Sequence, residues 1–100
     1  SLFLIGAFED GALVGFVRCV GDGEHILYVQ DLIVTPAMQR RGIGRALMRQ
    51  VSEHFAGVRQ FLLITDAEDA VSNAFYPAIG LKTTLGGYPC TAYFRDLPEA

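Results

Sequence analysis

Apolar positions in the first third of the chain come in short runs broken by glycine-containing turns, the pattern of strands joined by tight loops. Leu2 to Phe8 and Ala12 to Val20 flank Glu9-Asp10-Gly11, where Asp-Gly supplies the positive φ that a two-residue hairpin turn needs. Gly21-Asp22-Gly23 marks a second turn before Ile26 to Val34, a run rich in β-branched and aromatic residues that is bounded by Pro36. Its near-continuous apolarity predicts a central strand covered on both faces, with Gln30 and Asp31 in its middle. Beyond Pro36 the period lengthens to that of a helix. Ile43, Ala46, Leu47, Val51 and Phe55 fall on one stripe, Arg41, Arg45 and Arg49 on another, and Gly57 is placed to close the helix as a left-handed cap. Phe61 to Thr65 reads as a short buried strand, so the helix before it predicts a right-handed parallel crossover. Asp66, Glu68 and Asp69 put negative charge where a second helix begins; that helix runs to about Ile79, strained by Pro77 and closed by Gly80. Lys82 to Leu85 and Tyr88 to Phe94, on either side of Gly86-Gly87, predict a closing hairpin. The order β-β-β-α-β-α-β-β describes an α+β fold: a mixed, mostly antiparallel six-stranded sheet with two helices, in one domain over residues 1–100.

Composition narrows the class. With 51% hydrophobic residues, 19% charged and a net charge of −3, the chain can bury one core and is not disordered. No apolar run reaches the roughly 18 residues of a membrane helix, so no membrane partner is expected. Cys19 and Cys90 fit no metal spacing, which predicts no metal and reduced thiols in a cytoplasmic protein. Charge is unevenly spread: Leu32 to Ser52 holds four arginines (Arg40, Arg41, Arg45, Arg49) and no acid, while the rest of the chain carries a net −7. A polyanion would meet the protein at that one segment. A nucleic-acid surface needs a wider basic face with interleaved aromatics, and none is predicted.

The candidate chemistry lies in Gln39-Arg40-Arg41-Gly42-Ile43-Gly44, between the central strand and the basic helix. Two glycines let the backbone approach a ligand, and the following helix presents unpaired N–H groups and the positive end of its dipole. With the arginines, this is a site for a diphosphate; a plain turn beside a solvated basic face fits the hexapeptide equally. A P-loop is excluded, because Gly44 is followed by Arg45-Ala46 rather than Lys-Ser/Thr. A dinucleotide fold fits poorly, because seven residues separate Val34 from Gly42, although Asp66 falls near the position of a ribose-binding acid.

Three runs together carry a family resemblance: Tyr28-Val-Gln-Asp-Leu-Ile-Val-Thr-Pro36, the Gln39 to Gly44 loop, and Asn73-Ala-Phe-Tyr-Pro-Ala-Ile-Gly-Leu81. The chain resembles the GCN5-related N-acetyltransferases (GNAT family) over roughly residues 2 to 95, with the Q/R-x-x-G-x-G/A signature at Gln39, Gly42 and Gly44. The resemblance implies acetyl-CoA as cosubstrate, its pyrophosphate on the loop formed by Gln39, Arg40, Arg41, Gly42, Ile43, Gly44 and Arg45. It also implies a pantetheine arm lying beside Leu32, Ile33 and Val34 like an added strand, with Ser72, Phe75 and Tyr76 completing the cofactor contacts. Admitting that arm requires the third and fourth strands to separate, with a bulge expected at Gln30-Asp31.

The implied reaction is direct attack of a primary amine, on a small molecule or a peptide, upon the thioester, with Tyr76 as the acid that protonates the departing thiolate. Packing under the sheet is the structural alternative for Tyr76. Many relatives place a Glu where this chain has Gln30, whose amide cannot take a proton. Asp31 is the nearest carboxylate and the catalytic candidate, with Asp66 and His25 behind it; a buried acid bonded to backbone amides is the alternative for Asp31. Relatives usually carry a strand and two helices ahead of the first hairpin. Their absence here is compatible with an open acceptor site, with completion by another subunit, or with a truncated fragment, and an exposed edge at Leu2–Phe8 would suit a homodimer. A CoA-binding module with weak catalysis is the alternative to an N-acetyltransferase.

Overall fold

The computed structural model describes residues 2–87 and 89–96. Four strands, β1 (Leu2–Glu9), β2 (Ala12–Gly21), β3 (Ile26–Val34) and β4 (Gln60–Leu63), form a sheet in the order β1-β2-β3-β4. The first two pairings are antiparallel and the last is parallel. A 3₁₀ turn (Pro36–Met38) and helix α1 (Ile43–His54) connect β3 to β4. Helices α2 (Ala70–Ala78) and α3 (Thr84–Gly87) follow. The chain forms two compact units, the first ending at Ile64 and the second beginning at Thr65.

In the first unit the β1–β2 turn takes the form that Asp-Gly favours, with Asp10 at φ 51° and Gly11 at φ 80°. At the next turn the Asp22 carboxylate accepts from the backbone N–H groups of Glu24 (2.9 Å), His25 (2.7 Å) and Ile26 (3.0 Å). A side chain at Gly21 is excluded, because its Cβ would lie 2.2 Å from the Ile26 carbonyl oxygen. One face of the sheet packs against α1. Val17, Cys19, Leu27 and Val29 from the strands meet Leu47, Met48, Val51 and Phe55, all buried. Each of the larger aliphatic side chains contributes about 2 kcal/mol through loss of water contact. Phe3 closes the end of this core edge-on to Phe55, ring centroids 4.7 Å apart.

Several expectations need correction. Met48 is buried where the periodicity put Ala46, which is exposed. Helix α1 ends at Phe55 (φ −113°) and not through a left-handed Gly57: the Phe55 N–H bonds Val51, its carbonyl accepts from Val58, and its ring is anchored in the core. Strand β3 is buried on one face only, because Ile26 and Ile33 on the other remain 40% and 50% exposed.

The six-stranded sheet becomes four-stranded among the described residues. In the second unit the expected strand Lys82–Leu85 is replaced by coil and the short α3, and residues 89–96 carry no regular structure; Tyr88 lies outside the described residues. The reason is local. The N–H groups of Gly86 and Gly87 both bond the Thr83 carbonyl at 3.0 Å, which winds the expected turn residues and the end of the expected strand into one helical turn. Gly80, at φ 102°, follows α2 as expected, and Pro77 is accommodated one residue before the helix ends. No helix among the described residues is long and apolar enough to cross a membrane.

Three backbone N–H bonds hold the Asp22 carboxyl far below the usual carboxylate range. A folded-state pKa below the unfolded one stabilises the fold above the ordinary value of about 4 and loses that contribution as pH falls further. Asp22→Ala is therefore expected to lower the melting temperature at neutral pH. The gap from wild type should narrow in scans taken progressively below about pH 4.

Candidate active site

Strand β3 carries the irregularity that shapes the site. Cys19 on β2 pairs with Val29, but the next pair is Arg18 with Asp31, which leaves Gln30 without a cross-strand partner. The bulge expected at Gln30-Asp31 is present. Because side chains alternate along a strand, one extra residue exchanges the two faces for everything beyond it. Leu27 and Val29 face α1 before the bulge; after it, Leu32 and Val34 share the faces of buried Val17 and Gly15, and Asp31 and Ile33 turn to the opposite side beside Arg18 and Phe16. There the Asp31 carboxylate forms an ion pair with the Arg18 guanidinium, both side chains partly exposed. Asp31 is thus not a buried acid satisfied by backbone amides. No local signal in the sequence singles out Arg18, because only the bulge brings the two residues opposite each other.

The bulge coincides with the end of the parallel ladder. Strand β4 pairs with β3 from Ile26–Gln60 to Val29–Leu63 and goes no further. From Asp31 to Val34, β3 is paired with β2 alone among the described residues. The backbone of Leu32, Ile33 and Val34 therefore has no strand beside it on that side among the described residues, the arrangement to which an extended ligand arm can add as a strand, with the Val34 carbonyl taken by a side chain of the loop that follows.

That edge leads directly into the glycine loop. Thr35 N–H bonds the Val14 carbonyl (2.9 Å), and the Gln39 side-chain amide donates back to the Val34 carbonyl (3.1 Å), so Gln39 braces the loop against the strand. Arg40 and Gly42 both take left-handed conformations, at φ 68° and 82°. Gly42 is the N-cap of α1, and a Cβ there would meet no atom within 4 Å, so backbone conformation rather than space calls for glycine. The helix start has no side-chain cap and no acid in its first turn. Helix geometry leaves the N–H groups of Ile43, Gly44 and Arg45 without intrahelical acceptors, at the positive end of the dipole. Arg40, Arg41, Arg45 and Arg49 are all exposed around it. Ile43 contributes its amide only, since its side chain packs on β2 at the position where Gly15 lacks a Cβ.

The second unit holds Ser72, Phe75 and Tyr76 on α2. Asp69 caps this helix, accepting from the Ser72 N–H (3.1 Å) and the Ser72 hydroxyl (2.8 Å), so that hydroxyl is engaged in the cap. Asn73 donates to the carbonyls of Asp66 and Ala67 and accepts from the Thr65 hydroxyl, tying the preceding loop to the helix. Phe75 and Tyr76 stack edge-on, 5.1 Å between centroids. Burial, and secondarily the Asp69 charge, push the Tyr76 phenol above its ordinary value, and it carries its proton at neutral pH. Asp66 accepts from the Glu68 N–H, and the His25 ring contacts the Asp22 carboxylate.

Comparison with known proteins agrees with this arrangement. The family model of the GNAT acetyltransferases matches residues 1–81. A mycothiol acetyltransferase from Kineococcus radiotolerans is 36% identical over 74 residues; the match covers 72% of this chain, which spans only 24% of that relative's length. A GNAT-family acetyltransferase from Streptococcus pneumoniae superposes with a TM-score of 0.84 at 36% identity, over 96% of this chain and 71% of that one. The aminoglycoside N-acetyltransferase AAC(6')-Iy, solved with the bisubstrate analogue CoA-S-monomethyl-acetylneamine, superposes at 0.75 over 97% of this chain and 70% of its own; at 20% identity it shows the fold alone. A bulged strand with a free edge, a glycine loop opening a basic helix and a family match over four-fifths of the sequence lead to one conclusion: this chain belongs to the GNAT acetyltransferase family.

Proposed function

We propose that the chain, as a single acetyl-CoA-binding domain, transfers the acetyl group of acetyl-CoA to a primary amine of a small molecule or peptide. The observation that carries this reading is the continuity of the free β3 edge with the uncapped, arginine-flanked start of α1. A thioester carried on a long amide-containing arm with a diphosphate at its far end matches both parts. The arm would be held by the backbone of Leu32, Ile33 and Val34. The diphosphate would be held by the N–H groups of the Arg40–Arg45 loop, with the guanidinium groups of Arg41 and Arg45 adding attraction.

Proton movements complete the reaction. Tyr76, a phenol that carries its proton at neutral pH, would deliver it to the departing thiolate. An alkylammonium acceptor must lose a proton before attack, and Asp31, turned outward beside the bulge, is the proposed acceptor, reached through water. An acceptor of the small-molecule class is supported by the neamine-derived analogue bound to AAC(6')-Iy. The free thiols, Cys19 buried and Cys90 exposed, suit a reducing cytoplasm, and β1, paired only with β2 among the described residues, offers an edge for a homodimer.

Calorimetry with acetyl-CoA, joined to a continuous assay of CoA release over a panel of amines, tests the proposal. Saturable binding with release that depends on an amine is expected, and binding without transfer to any amine would contradict it. Charge reversal at Arg41 or Arg45 should weaken acetyl-CoA binding on the order of tenfold at low ionic strength, and less as salt screens the charges. Unchanged affinity would remove the side chains from the account but not the amides. Tyr76→Phe should lower kcat by about tenfold or less, because a thiol of pKa about 8.5 already leaves readily, and should leave acetyl-CoA affinity intact.

A further inference from the structure

The Arg18–Asp31 pair stands in the middle of an apolar sheet face. Its row across the sheet is Leu4, Arg18, Asp31; the row on one side is Gly6, Phe16, Ile33, and on the other Leu2, Val20, Tyr28. Leu4, Ile33 and Leu2 are exposed, so the pair is the charged element in an otherwise apolar surface. Its position in the register shows what it does. If the Cys19–Val29 pairing simply continued without a bulge, Arg18 would face Gln30 and Val17 would face Asp31. Val17 is completely buried, and the α1 residues Leu47, Met48 and Val51 fill that side. The regular register would therefore move the carboxylate from Arg18 to the helix-facing side, into the half-buried place beside Val17 that Leu32 now holds, where it would lose its partner and part of its water. The same slip would also turn the half-buried Leu32 and Val34 away from the helix-facing side and Ile33 toward it.

We propose that Asp31, held by Arg18, is a positioning device: it excludes the regular register and so keeps the bulge at Gln30, which presents the Leu32–Val34 backbone to the pantetheine arm. Arg18 rewards the bulged register with an ion pair, and burial of Asp31 penalises the alternative. This role deepens the acetyl-CoA reading and is separate from proton uptake, since it depends on the polarity of position 31 and not on its basicity. Asp31→Asn keeps a polar group that can still accept from Arg18; Asp31→Val removes the penalty, and the regular register then exchanges Leu32 and Val34 for the introduced valine and Ile33 on the helix-facing side while restoring an unbroken ladder.

Cross-strand NMR contacts report the register directly, and calorimetry reports its consequence. In the wild-type chain Val17 should show contacts to Leu32. In Asp31→Val the chain should stay folded, with Val17 now contacting residue 31 and acetyl-CoA affinity reduced about tenfold or more. Asp31→Asn should keep the wild-type contacts and affinity while losing turnover, which splits KM from kcat. Arg18→Lys should behave as wild type in binding, and the exchange Arg18→Asp with Asp31→Arg should restore the Val17–Leu32 contact, because a buried arginine is excluded as firmly as a buried aspartate. Retention of the Val17–Leu32 contact in Asp31→Val would overturn the inference. A wild-type chain with the expected register but no affinity for acetyl-CoA would instead overturn the function proposed above and leave the register device standing.

Discussion

One unpaired residue in the central strand governs what the rest of the molecule can offer a ligand. A strand is a two-faced object, and α1 makes the faces unequal by burying Val17, Leu27 and Val29 on one side. Inserting Gln30 keeps the apolar residues of β3 on the buried side beyond the insertion, as Leu32 and Val34, while the charged Asp31 escapes to the other. The parallel partner β4 stops at the same level, so beyond Gln30 strand β3 becomes the edge of the sheet among the described residues, touched on that side by the Gln39 amide at the Val34 carbonyl. An edge of that kind costs unmade ladder bonds in the isolated chain. It becomes useful only when something extended completes it.

The second constraint lies at the start of α1. A helix N-terminus is usually quieted by an Asp, Ser or Thr cap, worth about 1 kcal/mol, and here Gly42 fills that position with no side-chain acceptor. The left-handed Gly42 and Arg40, the Gln39 brace to Val34 and the anchoring of Ile43 on Gly15 hold the loop without supplying an anion of its own. Stability is given up at a place where donors and positive charge converge, as expected of a site that waits for phosphate oxygens. Placing both features within a dozen residues of one another, on either side of a 3₁₀ turn, lets one bound molecule satisfy both.

Much of this is legible in local chemistry. The Asp-Gly hairpin, the bounds of β3, the arginine face of α1 and the Gln39–Gly44 loop follow from turn residues and periodicity, signals that depend on near neighbours. The bulge is legible only through the family resemblance, since no rule of alternation applies to a strand that is apolar almost throughout. What the sequence does not reveal depends on distant partners. Arg18 can be matched with Asp31 only through the register, and Met48 takes the place of Ala46 because the helix sits at a rotation set by the sheet. The closing hairpin fails for the opposite reason: local bonds to Thr83 wind into one helical turn the glycines expected to join a pair of strands.

A crystal structure of this chain with CoA is the most direct test of a free strand edge and an uncapped helix serving one ligand. The diphosphate oxygens are expected about 3 Å from N–H groups of the Gly42–Arg45 segment, with the pantetheine amides bonded to the backbone of β3 beyond Gln30. A CoA molecule bound away from that edge, or a β3 that closes against β4 and keeps its backbone groups to itself, would contradict it.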